Sequence, residues 1–260
     1  MTKERIERLR EYIDAHNEVT LEELAALYAD CSAMTRWRDL NQLEKDGYIL
    51  RTRGGAVSLQ KIQPETEGVY RRRARENIKA KQAIAKAALS FVAPGSAVFF
   101  DAGSTLMELA RLLPNEHYTV ITSGANIAIE LSQRSSCNVM GVGGQISANT
   151  LSFSGPFSEM VLDGMNIDTA MMATSGYSAS SGFSSGSFTE HQLKKKVISK
   201  ASRVVMLMDL SKIGKSLTFT FADFKDIDVL ICDSPLPQEI QAIADRNGVR
   251  VIAAVESEKV

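Results

Sequence analysis

Between Val98 and Leu113 the chain reads VFFDAGSTLMELARLL: an apolar run, then Asp101-Ala102-Gly103-Ser104-Thr105, then leucines at helical spacing. Backbone N–H groups at a helix start point outward with partial positive charge, and small residues with hydroxyls let an anion reach them. Anion binding is therefore the chemistry this stretch offers. Two turns of the same type follow later apolar runs, Thr122-Ser123-Gly124 and Gly143-Gly144. Lys212 follows RVVMLMD, where an ammonium would neutralise an anionic group. Glu190 stands one turn before Lys194, and a carboxylate near a lysine can shuttle a proton. Singly, each turn is also what an ordinary helix cap looks like. Several polar strand ends converging on one face are a stronger signal than any one of them.

The elements that would carry these groups follow from periodicity. At 260 residues the chain has room for a small domain attached to a medium one, and 44% hydrophobic with 23% charged residues is an ordinary globular balance. Beyond Lys81, helical stretches alternate with strands such as SAVFF, YTVITS, DTAMMATS, RVVMLMD and VRVIAAV. That alternation predicts an α/β domain with a mainly parallel sheet, and such sheets place ligands at the carboxyl ends of their strands. The Ser/Gly-rich SGYSASSGFSSGS reads as a site loop.

Ahead of that domain, Ile6, Leu9 and Ile13 mark an amphipathic helix. Thr20 with Glu23 forms a capping box for a second helix, and Ser32 caps a third that Gly47 closes. YILRTR, Gly54-Gly55 and AVSL then read as a hairpin. Three short helices and a hairpin make a winged helix-turn-helix, in which one helix enters the major groove of DNA. Arg36, Arg38, Lys45, Arg51 and Arg53 are placed for phosphate and base contacts. The net charge of −1 gives no global signal, so such a surface would be a local patch.

Three scattered cysteines and three scattered histidines carry neither a disulfide framework nor a zinc spacing, so no metal and no cofactor is expected. No apolar run reaches the roughly 20 residues of a membrane span, and the first residues lack the apolar core of a signal peptide. The expectation is a cytoplasmic protein with no membrane partner.

MTRWRDLNQLEKDGYILRTRGGAVSL resembles the DNA-binding signature of DeoR-type bacterial repressors, a Thr-x-Arg-Arg-Asp-Leu helix running through Leu-Glu-x-x-Gly into an Arg-x-x-Gly-Gly-Ala wing. With the residues read above, this resemblance gives an expected contact set for double-stranded operator DNA of Ser32, Thr35, Arg36, Trp37, Arg38, Arg51, Arg53, Gly54 and Gly55. Two positions depart from the pattern. Arg36 stands where the family has an aliphatic residue and Trp37 where it has the first of two arginines. The expectation is an exchange, with Arg36 supplying the charge and Trp37 the apolar packing.

The resemblance continues through YRRRARENIKAKQAIAKAALSFVAPGSAVFFDAGST, VITSGANIA, GVGGQI, SFSGPF, TSGYSASSGFSS and MDLSKIGK. It implies an effector domain similar to ribose-5-phosphate isomerase and coenzyme A transferase subunits, holding a phosphorylated sugar. Gly103, Ser104 and Thr105 would meet the phosphate and Asp101 the sugar hydroxyls, with Thr122, Ser123, Gly143, Gly144, Gly176, Glu190, Lys194 and Lys212 completing the effector site. The expected domains are 1–58, winged helix-turn-helix; 59–80, an Arg-rich linker; and 81–260, effector binding and oligomerisation.

The reading is an effector-responsive repressor of sugar-metabolism genes acting as a homo-oligomer, a dimer or tetramer, without catalysis. Two others stand beside it: a sugar-phosphate isomerase with an accessory DNA-binding module, and an architectural protein whose larger domain only oligomerises. The Asp-rich catalytic run expected of the isomerase is missing, and hydroxyls occupy its place.

Overall fold

The computed structural model describes residues 2–59 and 69–254, in two compact units, Met1–Arg72 and Arg73–Val260. In the first, helix α1 (Thr2–His16) is followed by strand β1 (Glu18–Thr20), α2 (Leu21–Leu27), α3 (Ala33–Lys45) and the hairpin β2 (Ile49–Arg51) with β3 (Gly55–Ser58). The helix starts are where the sequence puts them. Thr20 Oγ1 accepts the Glu23 N–H at 3.1 Å while Glu23 Oε2 accepts the Thr20 N–H at 2.7 Å, and Ser32 Oγ accepts the Thr35 N–H at 3.2 Å. At the end of α3 the Tyr48 N–H reaches back over Gly47 to the Leu43 carbonyl, 3.0 Å away. Leu9, Ile13, Val19, Leu24, Leu40, Leu43, Tyr48, Ile49 and Ala56 close into one core.

β1 is an addition to the sequence reading. It pairs antiparallel with β3, giving the sheet order β1-β3-β2. Three residues are too few to show a period of two, so only the folded hairpin reveals it. Its closeness dictates Gly55: a Cβ there would lie 1.8 Å from the Val19 carbonyl oxygen.

Residues 60–68 of the expected linker, with Pro64 and Gly68, and residues 255–260 lie outside the described residues. Where the linker is described it is helical: α4 (Tyr70–Arg75) and α5 (Ile78–Ala88) are separated by Asn77 at φ 51°.

The second unit continues through β4 (Ala97–Phe100), α6 (Ser104–Leu112), β5 (Tyr118–Thr122), α7 (Ala125–Ser132), β6 (Cys137–Gly141), the short pair β7 (Gln145–Ile146) and β8 (Phe153–Ser154), and α8 (Pro156–Leu162). Then follow β9 (Thr169–Ala173), β10 (Gly176–Ser178), β11 (Gly182–Ser185), α9 (Phe188–Lys200), β12 (Val204–Met208), β13 (Phe219–Ala222), β14 (Val229–Cys232), α10 (Gln238–Arg246) and β15 (Arg250–Ala253). Seven strands form a parallel sheet in the order β15-β14-β12-β9-β4-β5-β6. Both faces are covered, which is why its strands read as nearly continuous apolar runs. Val98, Phe100, Val120, Met171 and Leu207 pack with Ile84, Leu106 and Ile127 from α5, α6 and α7. Phe99, Ile121, Met172 and Met206 pack with Leu162, Leu193 and Ile240 from α8, α9 and α10.

The Ser/Gly-rich stretch is more ordered than a loop. It forms the hairpin β10–β11, which β13 extends into a second, three-stranded sheet. Tyr177 and Phe183 pair across it, ring centroids 4.8 Å apart, and both close on Phe224 at 5.3 and 5.4 Å. Two buried aromatic side chains thus order a segment whose serines and glycines suggest none.

The chain winds outward from β4 through β5 to β6, then returns to lay β9 on the other side of β4. The direction of winding reverses between β4 and β9, and the crevice at the carboxyl ends of those two strands is where an open α/β sheet receives ligands.

Candidate functional site

Asp101 leaves β4 at that reversal, its N–H bonded to the Met171 carbonyl of β9 at 2.9 Å. Lys194 of α9 reaches it from the next layer: Nζ forms an ion pair with Asp101 Oδ2 and donates to the Ala173 carbonyl at 2.9 Å. Oδ2 also accepts the Ala173 N–H at 3.1 Å, and Ser123 Oγ donates to Oδ1 at 3.4 Å. With Asp101 3% and Lys194 8% exposed, this is a buried pair backed by hydrogen bonds on both sides.

Glu190 lies one helical turn before Lys194 on α9. Its Oε1 accepts from Thr150 Oγ1 at 2.6 Å and from Ser152 Oγ. The chain around Ser152 bridges to Gly124, and the Phe153 N–H bonds the Ser123 carbonyl at 2.7 Å. A single network therefore runs from Asp101 through Ser123 to Glu190. Thr150 and Ser152 belong to it and do not stand out in the sequence, because isolated hydroxyls in a turn-rich segment carry no periodic signal.

Two helices start beside this network without side-chain caps. Gly103 caps α6 at φ 146°, a backbone region essentially confined to glycine, and Gly124 caps α7. Ser104 and Thr105 open α6 and are buried. Thr122 shapes the second turn, its hydroxyl donating to the Phe100 carbonyl at 2.8 Å and accepting the Gly124 N–H at 2.9 Å. In the first turn of α7, Asn126 holds both side-chain polar atoms buried without a hydrogen-bond partner among the described residues. An unpaired buried amide costs free energy, about 1–3 kcal/mol, that a ligand can return. Asn126→Leu is expected to leave urea-induced unfolding unchanged or shift it to higher urea, while weakening effector binding at least tenfold by calorimetry.

The other candidates make contacts of their own. The Gly143 carbonyl accepts Ser158 Oγ at 2.5 Å, and a Cβ on Gly144 would lie 2.4 Å from that same oxygen, so this pair serves the packing of α8. Gly176 is buried in the small sheet, its carbonyl accepting Thr174 Oγ1 at 2.7 Å. Lys212 sits beyond β12, two places along the same carboxyl edge from β4, with Nζ 4.0 Å from Asp209 Oδ2. Asn77 Nδ2 bonds Asp209 Oδ1 at 3.2 Å and Ser211 Oγ at 3.0 Å, and Lys81 Nζ bonds the Arg73 and Glu76 carbonyls.

Burial lowers the pKa of both lysines, more than nearby Asp209 raises it; Lys81 falls from 10.5 to about 8. Above pH 8 the folded unit has given up the Lys81 proton while the unfolded chain keeps it until about 10.5, so folding gains stability as pH rises through that window. Urea unfolding at pH 7.5 and pH 10 is expected to show wild type gaining relative to Lys81→Met.

In the first unit, α3 presents Met34, Trp37, Arg38 and Lys45 to solvent, and the hairpin presents Arg53 and Gly54. Arg38, Lys45 and Arg53 make no ion pair or hydrogen bond among the described residues, as suits groups reserved for phosphate or base edges. Ser32 and Thr35 share the start of α3, their hydroxyls 2.9 Å apart. Asp39 is buried and holds Arg5 at 2.7 and 3.1 Å, bracing α1 on α3.

Residues 5–62 match the DeoR-like helix-turn-helix domain, and residues 76–234 match the DeoR C terminal sensor domain. The chain belongs to the DeoR family of helix-turn-helix transcriptional regulators. It is 31% identical to an uncharacterized HTH-type transcriptional regulator, YulB, of Bacillus subtilis over 100% of this chain and 99% of that one. It is 32% identical to the HTH-type transcriptional regulator GlpR of Haloferax volcanii over 97% and 98%. Among solved structures, ribose 5-phosphate isomerase A of Methanocaldococcus jannaschii aligns with a TM-score of 0.41 and 21% identity, over 55% of this chain and 57% of that one.

Within the family pattern the two departures differ from the exchange expected of them. Trp37 is not core packing; it is 51% exposed, with the Arg51 guanidinium 5.1 Å from its ring centroid. Arg36 instead turns back on its own turn, Nη1 donating to the Tyr28 and Cys31 carbonyls at 3.0 and 2.5 Å. The reason is helical phase. Position 36 lies four residues before Leu40 and seven before Leu43, both buried, so it faces the core, whereas 37 is rotated about 100° outward. Gly55 likewise is buried against β1, so its part in any wing contact is to let the hairpin form. Among the described residues no His, Cys, Asp or Glu cluster could hold a metal ion, and no helix is long and apolar enough to cross a membrane.

Proposed function

We propose that this regulator is a cytoplasmic repressor that releases operator DNA when a phosphorylated sugar occupies the carboxyl edge of the large sheet. The observation that carries the reading is the pair of uncapped helix starts flanking a buried Asp101–Lys194 network, with the Asn126 amide unsatisfied beside them. N–H groups at the Gly103-Ser104-Thr105 turn suit a phosphate and the unsatisfied Asn126 amide suits a sugar hydroxyl, while the Asp101–Ser123–Glu190 network, its groups bonded to one another, holds the two turns in place. Lys212, on the same edge, adds positive charge. Ser32, Thr35, Arg38, Arg51, Arg53 and Trp37 form the DNA face, with Arg36 supporting it from behind. Two half-sites read by two such helices call for a homo-oligomer of two-fold symmetry.

Sensing is favoured over turnover by the occupation of the acid–base groups. Glu190 Oε1 already accepts two hydroxyls, and Lys194 is held by Asp101 and the Ala173 carbonyl. A ligand that binds only the folded state raises thermal stability by mass action. In a thermal-shift panel one sugar phosphate is expected to raise the melting temperature where the free sugar and inorganic phosphate do not, with no interconversion of that sugar phosphate. Steady turnover that Glu190→Gln abolishes would establish the isomerase reading instead. A panel with no stabilising ligand would favour the architectural one.

A further inference from the structure

The exposed face of α3 is apolar at its leading end. Met34 is 65% and Trp37 51% exposed, and at a spacing of three they lie side by side, ahead of Arg38, Asn41 and Lys45 on the same face. Water is a poor neighbour for so much apolar surface, and the first half of a recognition helix is the part that meets base edges.

The indole is also held in place. The Arg51 guanidinium stacks on it at 5.1 Å, and Arg51 is itself anchored: Nη1 bonds Asn41 Oδ1, and its backbone N–H bonds Glu44 Oε1 at 3.0 Å. Arg36, the neighbouring cation, is withdrawn to the carbonyls of Tyr28 and Cys31. Arg38, Lys45 and Arg53 remain exposed nearby to engage phosphates and base edges. What stands foremost is a preorganised apolar wedge set within a cationic frame.

The major groove has one apolar feature, the C5 methyl group of thymine. We propose that Trp37, flanked by Met34, is a specificity-determining residue that reads thymine 5-methyl groups in each operator half-site. The inference rests on the reading of α3 as the DNA-recognition helix. It makes the position-37 departure a change of base preference, since an arginine there would favour guanine O6 and N7.

The test alters the DNA by one methyl group and leaves the protein intact. An operator is first isolated by selection from random duplexes with the full-length protein, and its thymines are then replaced singly by deoxyuridine. At one or two positions per half-site, deoxyuridine is expected to weaken wild-type binding about three- to tenfold, the scale of one buried methyl contact. Trp37→Ala should bind thymine and deoxyuridine operators alike, and Arg38→Ala should bind more weakly yet keep the discrimination. Specific binding by wild type with equal affinity for every deoxyuridine operator would overturn the inference and leave the DNA-binding reading standing. Failure to select any operator would overturn that reading and the inference with it.

Discussion

Lys194→Met is expected to lower the unfolding free energy of the larger unit by about 3–5 kcal/mol, because it strands the Asp101 carboxylate, 3% exposed, without its cation. The two hydrogen bonds left to Asp101, from the Ala173 N–H and the Ser123 hydroxyl, do not replace a unit charge. The pair also spans the winding reversal of the sheet, tying β4 and β9 to α9, so its loss loosens the elements that frame the candidate site. Asp101→Asn combined with Lys194→Met should recover most of the stability, since an amide keeps the shape without the charge, yet should not restore the effector response. Urea unfolding of wild type, both single variants and the double variant measures the coupling. Additive losses would show that the two groups do not act as a pair.

Gly55→Ala is expected to be the most damaging single methyl in the first unit. Its Cβ would lie 1.8 Å from the Val19 carbonyl oxygen and 2.9 Å from the Thr20 Cα, both backbone atoms that no side-chain rotation can clear. Relief requires β1 to leave β3, which exposes Val19 and Ala56 and undoes the hairpin's place beside α3. A cost of about 3 kcal/mol or more is anticipated, in the range of overpacked cores, together with loss of operator binding. Gly54→Ala is the control: a Cβ there meets nothing within 4 Å, so the fold should be untouched. Circular dichroism with an operator-binding titration separates the two variants. A Gly55→Ala protein that folds and binds like wild type would contradict the close approach of β1.

What could be read from the sequence was local. The Thr20–Glu23 box and the Ser32 cap are set by residues within one turn of each other, and the parallel sheet announces itself through long apolar runs such as RVVMLMD. What could not be read depends on elements far apart in the chain. Asp101 and Lys194 were each suspect as residue types, but 93 positions separate them, and only the return of the chain to β9 and α9 makes them partners. The same holds for Thr150 and Ser152 on Glu190, about 40 residues away. Asn126 reads as an ordinary helix-start residue until its buried amide is found to lack partners. Trp37 is the instructive reversal. Residue type favoured packing, but the phase set by Leu40 and Leu43 turns it outward, and that phase was legible in the spacing.

Coupling of effector binding at the large sheet to DNA binding at α3, as proposed, demands different effector affinities in the free and DNA-bound states. Fluorescence anisotropy of the full-length protein on its selected operator, titrated with a panel of sugar phosphates, tests this most directly. One sugar phosphate is expected to release the DNA while its free sugar and inorganic phosphate do not, and Asn126→Leu is expected to shift the release to higher concentration. Tight, specific operator binding that is indifferent to every phosphorylated sugar would contradict the coupling.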